Sequence, residues 1–205
     1  QNMKQAGFSP ARWVEVMLAC GCETFYQYEG DKIVGVYNPT TGTYIPVTRT
    51  ESLILLKEQT VISRNPGATL IDLGDGVACV EFQTKMNALD DDIFNMILLG
   101  LDRVETEFEG LVIGNQAENF SAGANLAMIL MGAQMGAWDQ LEGAVSKLQG
   151  MNMRMRYFPR PVVIAPAGLS LGGGAEITMH GSRVVAAAEL YTGLVEIGAG
   201  VIPAG

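Results

Sequence analysis

Two glutamates stand twenty residues apart, each in a glycine-rich apolar frame: Leu171-Gly-Gly-Gly-Ala-Glu176 and Val195-Glu196-Ile-Gly-Ala-Gly200. About fifty residues before the first lies a third frame of small residues, Asn119-Phe-Ser-Ala-Gly-Ala-Asn125. Glycine lets a main chain approach a ligand closely, and apolar surroundings are where a carboxyl group's proton affinity is tuned for acid–base work. Two carboxylates beside two loops able to offer backbone N–H groups describe one kind of chemistry. Such a site stabilises an oxyanion while a proton moves.

The elements that must position these residues alternate. Ala68–Leu73 and Val77–Phe82 read as strands joined by Gly74-Asp-Gly76, a hairpin signature. Asp90–Glu105 carries Ile93, Met96, Ile97, Leu99, Leu101 and Val104, a broad apolar face at helical spacing, and Leu111–Gly114 is a short buried strand. Helices are expected near 126–137 and 139–156, then strand Pro161–Ala165, helix Gly174–His180 and strand Arg183–Ala187. The triplet Gly172-Gly-Gly174 does not match G-x-G-x-x-G, so a dinucleotide loop is set aside. A helix opening on that triplet would aim free N–H groups and its dipole at a developing negative charge, with Glu176 in its first turn. This alternation of strand and helix implies α/β layers, with a repeated β–β–α unit suggested.

Ahead of this pattern, residues 8–22 read as an amphipathic helix with Ser9 as N-cap and Pro10 at its first position. A hairpin about Glu29-Gly-Asp31 and a strand at 43–48 follow. The stretch 50–68 is weakly patterned and ends in Arg64-Asn-Pro-Gly67, which places a domain junction near residue 66.

Composition narrows the function classes. A net charge of −9 over 205 residues disfavours nucleic acid and anionic membrane surfaces as partners. Against that background Arg154-Met-Arg-Tyr-Phe-Pro-Arg160 is locally basic, either a solvated helix end or a phosphate contact. Three cysteines, Cys20, Cys22 and Cys79, form no disulfide framework and fit a reducing cytoplasm. With His180 the only histidine, no zinc or other metal site is expected. No signal peptide or membrane span is read. The chain opens without methionine and stops at Ile202-Pro-Ala-Gly205, as a cut from a longer protein would.

The motifs of residues 68–205, taken together and in order, resemble the enoyl-CoA hydratase/isomerase superfamily, the crotonases. Lys85-Met-Asn-Ala-Leu89 resembles the family's loop on the adenine side of acyl-CoA, which implies substrate contacts from Lys85, Asn87, Ala88 and Leu89. Phe120-Ser-Ala-Gly-Ala-Asn125 is similar to the first oxyanion loop, with Ala124 the implied N–H donor and Ala122 and Gly123 lining the substrate. Gly172-Gly-Gly-Ala-Glu176 resembles the second, with Gly173 the implied donor and Gly172 beside it. Glu176 and Glu196 match the two catalytic glutamates of hydratases. Asn125 departs from the aspartate usual there, and His180 stands in a region that departs from the common pattern and reads as structural.

The resemblance implies a crotonase-like domain over 67–205, shortened at its C-terminus, that hydrates 2-enoyl-CoA reversibly to 3-hydroxyacyl-CoA without metal or nicotinamide. Isomerisation of the double bond, another crotonase-type reaction, and a non-catalytic interaction fragment are the alternatives. Residues 1–66 form a small α+β junction segment. Phe8-Ser-Pro-Ala-Arg-Trp-Val-Glu-Val-Met-Leu18, Phe25-Tyr26 and Tyr37 resemble the closing part of a 3-hydroxyacyl-CoA dehydrogenase region. That points to a bifunctional β-oxidation protein whose NAD belongs to a dehydrogenase part upstream. The partners implied are acyl-CoA and either further copies or other domains of the same polypeptide.

Overall fold

A computed structural model describes residues 5–30, 32–48 and 53–204. The chain divides into two compact units, the first ending at Ile54 and the second starting at Leu55.

In the first unit, helix α1 (Arg12–Ala19) precedes an antiparallel sheet of β1 (Tyr26–Glu29), β2 (Lys32–Asn38) and β3 (Thr43–Pro46), with β2 in the middle. The helix begins later than Ser9 and Pro10 foretell, because its N-cap residue Ala11 is extended (ψ 144°). It ends where Gly21 turns left-handed (φ 78°) and Cys22 N–H returns to the Met17 carbonyl at 3.1 Å. Trp13 and Phe25 meet edge to face at 6.0 Å, and Tyr37 is buried on β2.

The second unit is built on a six-stranded sheet in the order β10-β8-β7-β6-β5-β4. Strands β4 (Thr60–Arg64), β5 (Ala68–Asp72) and β6 (Val77–Phe82) pair antiparallel; β7 (Gly110–Gly114), β8 (Val162–Ala165) and β10 (Arg183–Val184) continue in parallel. The last of these is shorter than the strand expected over 183–187. Its apolar middle strands are mostly buried, as strands covered on both faces are.

The junction expected near residue 66 is instead a turn inside this sheet. Asn65 Oδ1 accepts from the N–H groups of Gly67 (3.1 Å) and Ala68 (2.7 Å), which folds β4 back on β5. The units part before that, at Ile54/Leu55.

Helix α2 (Asp91–Thr106) lies on β5, β6 and β7. Asp90 caps it by accepting from Ile93 N–H at 3.0 Å. Its buried face runs Ile93, Met96, Ile97, Gly100, Leu101 and Val104. Each of Ile93, Ile97 and Leu101, all 0% exposed, stabilises the fold by about 2 kcal/mol. Helices α3 (Leu126–Gln134) and α4 (Trp138–Arg156) follow β7, and α5 (Gly173–His180) follows β8 and β9 (Leu169–Leu171). Two arginines of the basic run pair locally, Arg154 with Asp102 (2.6 Å) and Glu105 (2.9 Å) and Arg160 with Glu109 (3.2 Å), while Arg156 is exposed.

A second, smaller strand layer explains the repeat. β9 pairs in parallel with β11 (Tyr191–Gly193) on one side and bridges to Ser121 on the other. Each passage from the large sheet therefore lays a short extended segment in this layer before the chain turns on. The three turns that leave it carry the residues singled out by the sequence.

Candidate active site

The first turn is fixed from beneath. Asn115 accepts from Phe82 N–H (2.7 Å) and donates to the Phe120 carbonyl (2.8 Å), and the Phe120 ring packs on Phe82. Ser121, fully buried, donates from Oγ to the Asn87 carbonyl (2.7 Å) and accepts from Gly123 N–H (3.0 Å). Gly123 has φ 86°, and a Cβ there would lie 2.6 Å from the Leu171 carbonyl and 3.4 Å from the Gly173 nitrogen. No side chain fits. The missing atom is what lets the main chain ahead of Ala124 lie against that of Gly173.

The second turn leaves β9 through Gly172 (φ 52°, ψ −124°), whose N–H donates to the Gly193 carbonyl at 2.9 Å. Helix α5 starts at once. The glycine triplet serves close packing: a Cβ on Gly172 would meet Glu196 Oε1 at 3.0 Å, on Gly173 Leu89 at 2.9 Å, on Gly174 Ser121 at 2.8 Å. Ser170 and Thr178 hydroxyls join at 3.0 Å, and Thr178 donates to the Gly174 carbonyl at 2.9 Å, tying the helix to its strand. Among the described residues neither Ala124 N–H nor Gly173 N–H donates to a protein oxygen.

Glu176 is 1% exposed in the first turn of α5. Its Oε1 accepts from Ala204 N–H at 3.0 Å, while Oε2 lies 3.9 Å from where a Gly173 Cβ would be. His180, one turn on, meets the Glu176 main-chain carbonyl through Nδ1 at 2.7 Å, in keeping with a structural role. Glu196 opens the third turn, a 3₁₀ segment Glu196–Ala199 after β11. Its Oε2 is buried without a hydrogen-bond partner among the described residues.

Both carboxylates and Ala122, Gly123, Ala124, Gly172 and Gly173 line one cavity of about 480 Å³. Its remaining wall is apolar, with Leu126 and Ile129 of α3, Val145 and Leu148 of α4, and Val201 and Ile202 near the C-terminus. Neither the α4 residues nor the 201–204 segment was marked by sequence spacing. They come from elements with no chemical motif of their own.

The Lys85–Leu89 segment takes a different place. Met86 (φ 60°) and Asn87 (φ 49°) are left-handed in succession, and Thr84 Oγ1 closes the turn on the Ala88 carbonyl at 2.7 Å. Asn87 is buried and donates to the Asn119 carbonyl (2.8 Å); Leu89 is buried and its N–H donates to the Gly123 carbonyl (2.9 Å). Lys85 is exposed and Ala88 half-buried. None of the four lines the cavity; Asn87 and Leu89 buttress the first turn. Among the described residues no cluster of three metal-ligating side chains occurs, and no helix is long and apolar enough to cross a membrane.

Comparison with known proteins bears on the same residues. The sequence model of the family described as "Enoyl-CoA hydratase/isomerase" matches residues 76–204. A Bacillus subtilis protein described as a probable 3-hydroxyacyl-CoA dehydrogenase is 44% identical over 209 residues, spanning 100% of this chain and 26% of that protein. A Rickettsia prowazekii protein, provisionally described as a fatty acid oxidation complex trifunctional enzyme, is 36% identical over 72% of this chain and 20% of its own length. The chain thus spans about a quarter or less of these relatives. The crystal structure of an enoyl-CoA hydratase from Shewanella pealeana shares the fold, with TM-score 0.61 and 24% identity over 67% of this chain and 52% of that one.

Proposed function

The chain belongs to the enoyl-CoA hydratase/isomerase family, and from that premise we propose that its cavity adds water reversibly across the double bond of a 2-enoyl-CoA. The observation that carries this reading is the contact of the two glycine turns. It brings the Gly123 main chain against that of Gly173, and we take the Ala124 and Gly173 N–H groups as the donors beside the cavity that both glutamates line. A thioester oxygen between those donors gains stabilisation as it becomes enolate-like, usually the largest single catalytic term. Water held by Glu176 and Glu196 loses a proton to one carboxylate as its oxygen bonds to the β-carbon. The α-carbon takes a proton from the other glutamate, which enters the step as the carboxylic acid. The net change is H and OH added across the double bond, a redox-neutral step that calls on no nicotinamide.

The test is a product assay. Crotonyl-CoA should yield 3-hydroxybutyryl-CoA, and Glu176→Gln and Glu196→Gln should each lower kcat by roughly 10²-fold or more. Conversion of 3-enoyl-CoA to 2-enoyl-CoA without hydration would favour isomerase chemistry instead, and no turnover of either would leave an interaction fragment.

We read the chain as part of a longer β-oxidation protein that also carries a 3-hydroxyacyl-CoA dehydrogenase, to which any NAD belongs. Two facts support this: the similarity to the Bacillus subtilis protein runs through the first 66 residues, and the hydration product is the substrate a 3-hydroxyacyl-CoA dehydrogenase oxidises. Three free cysteines accord with a cytoplasmic setting.

A further inference from the structure

Glu176 is one of two carboxylates in the cavity, and its Oε1 is held by a main-chain donor 28 residues away, Ala204 N–H. Ala204 is held in turn. The Gln149 carboxamide on α4 donates from Nε2 to the Ala204 carbonyl, so both polar groups of one residue are engaged, one by α4 and one by Glu176. Ala204 also packs, half-buried, against the core of the second unit, while the residues before it are less secured. Ile202 is 81% exposed and Pro203 has no N–H to give. Val201 N–H returns to the Glu196 carbonyl at 3.1 Å, which anchors only its start.

We propose that Gln149 is a positioning residue for acid–base catalysis, aiming the Glu176 carboxylate through the main chain of Ala204. The inference rests on the reading of Glu176 as an acid–base group. With Oε1 latched, Oε2 is turned toward Gly173, where an oxyanion donor stands. Losing the latch removes one of the contacts that orient this buried carboxylate and so loosens its aim at the reacting carbons. Gln149 itself does not line the cavity; Leu148 beside it does.

Gln149→Glu in the full chain keeps the side chain's size and removes the donor. It should lower kcat for crotonyl-CoA by about 10- to 100-fold, as misplacement of a catalytic group does, with KM unchanged within about twofold. The Ala204 amide, followed by NMR hydrogen exchange, should exchange faster. Gln149→Lys retains an N–H donor of similar reach and should restore both readouts. A loss of kcat and a rise in KM that Gln149→Lys shares would mean a structural role and overturn the proposal. So would faster Ala204 exchange at unchanged kcat, or unchanged exchange in Gln149→Glu. An unmutated chain that hydrates nothing would overturn the reading of the site and the catalytic role of Gln149 with it, while exchange at Ala204 still decides the contact.

Discussion

Glu176 stands in a helix whose first six residues are all buried, after two glycines pressed on Leu89 and Ser121 and two residues before Thr178, which is tied to Ser170. Glu196 opens a single 3₁₀ turn in which no residue is buried, followed by Ile197 and Ile202, each 81% exposed. The two carboxylates face one cavity from supports of unequal stiffness. Segments with few buried apolar contacts open at lower free energy than those in the core. Gly173 and Glu176 therefore stand in the firmly packed support and Glu196 in the more open one, a division suited to the proposed chemistry if the Glu196 side yields on substrate entry.

The largest break in that comparison comes from the stiff side. Gly173→Pro removes the main-chain N–H proposed as an oxyanion donor and should raise the barrier to hydration by about 3–4 kcal/mol. Proline suits a first helical position, but its Cβ meets Leu89 at 2.9 Å, so circular dichroism must first show a folded chain. A folded Gly173→Pro variant with undiminished kcat would place the thioester oxygen elsewhere.

Next come two glycines, one from each support. Gly123→Ala forces a Cβ to 2.6 Å from the Leu171 carbonyl at φ 86°, parting the two turns. Overpacking of this kind costs about 1–3 kcal/mol, and kcat should fall as the N–H groups separate. Gly198→Ala, in the turn of Glu196, meets nothing within 4 Å and should change stability by no more than about 0.5 kcal/mol. Thermal melts of the two variants settle the matter. Equal losses would mean that the Glu196 turn is as tightly packed as α5.

Much of the stiff side was legible because local pattern dictates it. The hairpin of β5 and β6, the face of α2, and a helix opening on the glycine triplet all follow from period and turn chemistry within one window of sequence. β4 escaped notice as a half-exposed edge strand with little alternation, and Asn65-Pro-Gly67 looked like a linker although it is its hairpin turn. Leu89 buttresses through a main-chain bond, to which side-chain type gives no clue, and Asn87 through a carboxamide whose partner carbonyl lies 32 residues away. The latch from Gln149 to Ala204 spans 55 residues and pairs an exposed glutamine with a backbone carbonyl, a pairing that no motif announces.

A similarly small effect, with none on turnover, is expected in α3, a cavity wall in which no residue is buried. Met128 N–H donates to the Asn125 main-chain carbonyl at 3.0 Å and only across 3.4 Å to its side chain, a long capping bond. Asn125→Asp places a full negative charge at the same point, beside the unsatisfied N–H groups and positive dipole end of the helix. Such a charge is worth about 0.3–1 kcal/mol at an exposed terminus. Amides of α3 should exchange a few-fold more slowly at neutral pH, and the gain should vanish as the new carboxylate protonates near about pH 4, its ordinary range. The Ala124 N–H is a main-chain group and survives the change, so hydration should proceed at an undiminished kcat. If kcat falls while α3 tightens, mobility of this wall is part of turnover, and the division between a stiff and a yielding support must be drawn through α3 as well as through Glu196.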